Sequence, residues 1–222
     1  LQDIAATFST IAIGMDSTQT GAVTVNDTGG LTALNSGLTL RSEGGGGSVT
    51  IGSTVDLTNT ATTSLLVEGT TINFDGGINT DSGSVTLTGP VVIDAAVTID
   101  TENGGDGAGG NIGFSSTIVA RDGASDTLAI DATGTSHGTV TISGNIGDGT
   151  AANDLDGFTI TQASVVDLAN VQVDAGNIAI TSADIDLNGD TYKANTSGSI
   201  TFTGPVGLDS TGNITIQTAT AN

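Results

Sequence analysis

The sequence predicts an all-β protein, a parallel β-helix (β-solenoid) of about ten coils, and three observations carry that prediction. Short apolar–polar–apolar triplets recur along the chain with the period-two alternation of half-buried strands. The segments between them are rich in Gly, Asn, Asp and Ser, and 34 glycines among 222 residues leave little room for long helices. The chain also repeats itself: GSVTLTGPVVID, Gly83 to Asp94, returns 115 residues later as GSITFTGPVGLD, Gly198 to Asp209. Both prolines, Pro90 and Pro205, fall at the same place in this unit, where a fixed φ after Gly turns the chain between strands.

Taken in order, Leu1 to Gln19 fits a helical face through Ile4, Phe8 and Ile11, or a strand through Ile11, Ile13 and Met15; the strand reading is preferred. Triplets then follow at Val23, Leu38, Val49, Val55, Ile72, Val85, Val97 and Ile112, and again at Leu128, Val140, Phe158, Val171, Ile178, Ile185, Ile200 and Ile214. Many are centred on Thr, a β-branched residue suited to the outward side of a pleated surface. Gly-rich passages at Glu43 to Ser48, Glu102 to Asn111 and Gly144 to Gly157 read as loops thrown out from corners.

The alternative fold is two tandem β-sandwich domains. The repeat is close to the length of an immunoglobulin-like domain, and Asp75-Gly76, Asp122-Gly123, Asp156-Gly157 and Asn188-Gly189 suit hairpin turns. Trp and Cys are absent, however, and the small aliphatics are uniform in size, as stacked coils require. Residues 1–222 are therefore read as one continuous segment. With roughly 20 to 25 residues per coil and about 4.8 Å between coils, the rod would be about 45 to 50 Å long.

Twenty-four acids stand against Arg41, Arg121 and Lys193, a formal charge of −21. Such a surface argues against nucleic acid and against an anionic membrane, both of which recruit cationic residues. No apolar run is long enough to span a membrane as a helix, and the absence of Cys excludes disulfides. The chain starts at Leu1 with no signal-peptide pattern, so it is expected to be a processed or excised piece, with ends that look uncapped.

The units GSVTLTGPVVIDAAVTIDT, GTVTISGNIGDGT and GNIAITSADIDLNGD resemble the large secreted β-strand-repeat proteins of bacteria, the filamentous-haemagglutinin-like adhesins and related surface or filament proteins. The resemblance runs from about Val23 onward and is one of style. It implies a right-handed parallel β-helix, an extracellular or cell-surface location, and a non-enzymatic role in adhesion, cohesion or fibre building. The partners it implies are neighbouring repeats, or copies of the same chain stacked head to tail, and a cell or matrix surface.

Asn79-Thr80-Asp81 and Ser136-His137-Gly138 resemble fragments of a polygalacturonase site, a carbohydrate-active alternative, but no Asp-Asp pair or Arg-Ile-Lys element accompanies them. Gly134 to Gly138 matches G-x-S-x-G by letter without the strand–turn–helix setting of a nucleophile elbow. No cofactor is required by any motif. Calcium is the one ligand the turns suggest, through Asp154 and Asp156, through Asp186, Asn188 and Asp190, and through Glu102 and Asp106, although no EF-hand spacing is present. Ice binding is a further alternative, since Thr86 to Thr88, Thr139 to Thr141, Thr159 to Thr161 and Thr201 to Thr203 each pair two hydroxyls. Their steps of 53, 20 and 42 residues supply no fixed coil interval. Tyr192, the single Tyr, makes no aromatic platform for a sugar.

Overall fold

A computed structural model describes residues 8–219 apart from 16, 27–33, 35, 59–61, 104–106 and 123–124. The described residues contain 24 strands and no helix. Every strand pairing is parallel. Tandem sandwiches are thereby excluded, because their hairpins pair antiparallel.

The chain winds through three faces in turn. The first face stacks nine strands: Thr10–Met15, Gly37–Ser42, Leu65–Gly69, Val85–Thr88, Ile112–Phe114, Thr139–Ile142, Val165–Leu168, Ile185–Leu187 and Val206–Leu208. The second carries Ala22–Val25, Ser48–Ile51, Thr71–Phe74, Val91–Ile93 and Ile118–Ala120, then a single bridge through Ile146, then Val171–Val173, Thr191–Ala194 and Thr215–Thr218. The third has seven strands: Val55–Leu57, Ile78–Thr80, Ala96–Asp100, Thr127–Asp131, Gly157–Ala163, Ile178–Ser182 and Ile200–Thr203.

Stacking puts like on like. On the third face Val55, Ile78, Ile99, Ile130, Ile160, Ile180 and Phe202 form one inward column, and all but Phe202 are fully buried. Each inward aliphatic contributes roughly 1.5 to 3 kcal/mol on burial, so a core of small side chains suffices when every coil adds several.

Among the described residues the first face has nine rungs, in keeping with the expected ten or so, and the coils differ in length. Register advances 20 residues from Leu65 to Val85 and 19 from Val166 to Ile185, but 27 from Leu38 to Leu65 and 28 from Ile112 to Val140. Loops consume the difference, and nine rungs at about 4.8 Å span roughly 40 Å. The expected loop at residues 144–157 replaces most of one second-face strand, leaving only the bridges of Ile146 and Leu155.

The repeated unit marks corners, not coils. In its first copy the chain passes from the first face, Val85–Thr88, to the second, Val91–Ile93; in its second it passes from the third, Ile200–Thr203, to the first, Val206–Leu208. The same letters thus sit one face out of phase. What they share is the turn: Gly89 has φ +129° and Gly204 φ +136°, and a Cβ on either would lie 2.0 Å from a carbonyl oxygen, of Gly69 and Ser182 respectively. The dipeptides Asp75-Gly76 and Asn188-Gly189 likewise lie at corners between faces, and Asp156-Gly157 leads into a third-face strand.

Candidate functional site

The carboxylates singled out for calcium do not gather in one place. Asp154 is fully buried: its Oδ1 accepts the amides of Asp148 (2.8 Å) and Gly149 (2.9 Å), and its Oδ2 accepts Asn195 Nδ2 (2.7 Å). It organises the loop at 144–157 and ties that loop to the strand Thr191–Ala194. Asp156 accepts the Ser125 amide at 2.6 Å. Glu102 is 7% exposed, and its Oε1 accepts the Gly107 amide at 2.6 Å; Asp106 lies outside the described residues. Asp190 accepts the Ser210 hydroxyl, and Asn188 is exposed at the corner after Ile185–Leu187.

Other strand-end acids cap their own turns. Asp56, Asp100 and Asp131 occupy one outward row of the third face, and each accepts the amide two residues on, at Thr58, Glu102 and Thr133. The arginines clamp neighbouring coils. Arg41 pairs with Glu68 across the first-face register, and Arg121 Nε lies 2.8 Å from Asp94.

Asp186 has the densest charge around it. It stacks on Asp167 of the coil before, with Asp184 on its own coil and Asp209 on the coil after. Partial burial raises its carboxyl above the ordinary carboxylate range, and repulsion from Asp184, Asp167 and Asp209 raises it further. Spacing in the sequence pointed to Asp186 but missed Asp167 and Asp209, because only inter-coil register brings them alongside. Among the described residues no three acidic or imidazole side chains form a metal cage.

This grouping has a pH consequence. Asp75, Asp100 and Asp126 are also raised, in each case first by burial. A carboxyl with a raised folded pKa holds its proton more readily in the folded chain. The stability it contributes is complete below the ordinary carboxylate value and is lost as pH rises through the raised one. The melting temperature is therefore expected to fall as pH goes from about 4 to 7 at constant ionic strength. Circular dichroism checks this; a rising profile would contradict it.

The polygalacturonase-like fragments share a corner. Asp81 follows Ile78–Thr80 and forms an antiparallel bridge with Glu102, one coil on. His137 lies a further coil along, its Nε2 2.8 Å from Gln162 Nε2. The G-x-S-x-G letters sit in the same loop, which leads into the strand Thr139–Ile142 rather than a helix. The Thr pairs divide between faces: Thr86 and Thr139 lie on the first, Thr159 and Thr201 on the third with Ala179 between them. Tyr192 is wholly buried, edge-on to Phe202.

The outermost described rungs differ from those between them: on the first, Met15 is 61% exposed and Ile11 and Ile13 are only partly buried, and the last exposes apolar residues at core stations. Val206, Leu208 and Ile216 are 40%, 61% and 50% exposed, at stations where the preceding coil buries Ile185, Leu187 and Tyr192 completely.

Together these features define the class of the molecule: a three-faced parallel β-helix with an aliphatic core and carboxylate-rich corners. Among known proteins, no family model, no curated protein and no solved structure matches the chain.

Proposed function

We propose that this chain is a non-enzymatic, extracellular structural segment: an acidic rod within a cell-surface stalk, adhesin or self-assembling filament. The observation that carries this reading is the exposed last rung, whose Val206, Leu208 and Ile216 occupy core stations. An apolar strand edge of this kind recruits a further parallel strand. Its partner is the next repeat of the same protein or, in a fibre, a second copy stacked head to tail, which makes an open filament. The repeat style shared with bacterial surface proteins supports the location.

The carboxylates at Asp167, Asp184, Asp186 and Asp209 lie close to that rung, so end-to-end contact is opposed by their charge. Salt screens them, and calcium neutralises them through hard oxygen ligands. Association is expected to rise with either. Light scattering across salt and calcium titrations, with negative-stain electron microscopy of the products, tests this. End-to-end rods support it, whereas scattering that stays flat in both titrations removes the self-association reading.

A further inference from the structure

Asn188-Gly189 is the sequence in which a backbone amide most readily attacks the preceding side chain, since Gly offers no steric hindrance. Asn188 is exposed at the corner after Ile185–Leu187, two residues past Asp186 and, one position beyond the Leu187–Leu208 pair, level with Asp209 of the next coil. Gly189, by contrast, is buried, and a Cβ there would meet the Asn170 backbone nitrogen at 2.5 Å. Its amide donates to the Tyr192 hydroxyl at 3.0 Å and to the Leu168 carbonyl at 3.2 Å, while the Tyr192 hydroxyl donates to that same carbonyl at 3.0 Å. The nitrogen that would attack is therefore held in a closed triangle of hydrogen bonds.

We propose that Asn188 is a latent site of spontaneous deamidation and isoaspartate formation, kept closed by the Tyr192 hydroxyl. In the reaction the Gly189 amide gives its proton to solvent base and its nitrogen attacks Asn188 Cγ. The bond from Cγ to the side-chain nitrogen breaks, ammonia leaves, and a five-membered succinimide forms. Water then opens the ring at one carbonyl or the other, leaving aspartate or isoaspartate at position 188. Either product adds a negative charge two residues past Asp186 and level with Asp209, and isoaspartate also lengthens the backbone by one carbon at the corner before the last rungs. The lock survives mild alkali, where such cyclisation is fastest, because burial pushes the Tyr192 hydroxyl up to about 12 and keeps it protonated. This inference stands whether or not copies stack end to end.

The test follows deamidation at position 188 by peptide mass spectrometry of the full chain at mildly alkaline pH. Wild type is compared folded and in urea, and folded Tyr192→Phe with folded Val166→Ala, which weakens the neighbouring core but leaves the hydroxyl. Folded wild type is expected to react at least about tenfold more slowly than unfolded chain, and Tyr192→Phe several-fold faster than Val166→Ala. Equal rates in folded and unfolded wild type, or in the two variants, would overturn the proposal. Should Tyr192→Phe not fold, hydrogen exchange at the Gly189 amide of the wild type decides. Protection matching the strand Thr191–Ala194 supports the lock, and fast exchange rejects it.

Discussion

Replacing Gly89 with Ala is expected to destabilise the rod by at least about 2 to 3 kcal/mol. Two effects act together. The backbone at Gly89 has φ +129°, a conformation L-residues rarely adopt, and the added Cβ would lie 2.0 Å from the Gly69 carbonyl oxygen. That oxygen belongs to the backbone of the coil before, so relief means separating two stacked coils. Gly204→Ala introduces the same clash, with Ser182 O, and the same strain at φ +136°, but at the last described rung. There the lost pairing is confined to Val206–Leu208, already exposed, and the effect on global stability is expected to be much smaller. Urea unfolding of both variants measures the contrast. Equal losses would show that the corner's strain, rather than its place in the stack, sets the damage; a Gly89→Ala variant as stable as wild type would refute the corner geometry itself.

Phe158→Ala is expected to remove about 3 to 5 kcal/mol. Phe158 is fully buried on the third face, between Leu128 of one coil and Ile178 of the next, and it is among the largest buried side chains. Its column is otherwise aliphatic, so no neighbour has the reach to fill the space. Stacked coils contact only their neighbours, and stability is close to a sum along the stack. The cavity should therefore do more than lower the midpoint: coils on its two sides are expected to melt in separate steps. Calorimetry and limited proteolysis would show this as a second transition and as cleavage near residues 144–157. A single transition shifted by less than about 1 kcal/mol would mean that the core repacks.

Much of the fold could be read from local pattern because strand periodicity is local. Inward and outward residues alternate within three or four positions, so triplets such as Val49–Ile51 and Val140–Ile142 announce strands without knowledge of their partners. Strands that escaped this reading lack its contrast. Leu65–Gly69 and Val91–Ile93 have apolar residues facing outward as well as inward, while Ile78–Thr80 and Thr191–Ala194 end their inward side on Thr80 and Ala194, small residues that carry little hydrophobic signal. The candidate calcium residues were found by their turns, and turns are where carboxylates also serve as acceptors for backbone amides. Asp154, with two backbone amides and one side-chain amide donating to it, could be told from a metal ligand only once Asn195 was seen to reach it from two coils away.

By itself, then, the sequence determined that this is a strand-built, helix-free, acidic chain with a core of small aliphatics and glycine corners, since each of those properties is settled within a few residues. Tertiary structure alone decided the coil register, and with it which side chains are neighbours. Pairings 19 to 31 residues apart place Asp167 on Asp186, put the two copies of the repeat on different faces, and bring the Leu168 carbonyl over the Gly189 amide and the Tyr192 hydroxyl. The physical reason is loop length: each corner absorbs a different number of residues, so no fixed period in the sequence records which residues stack.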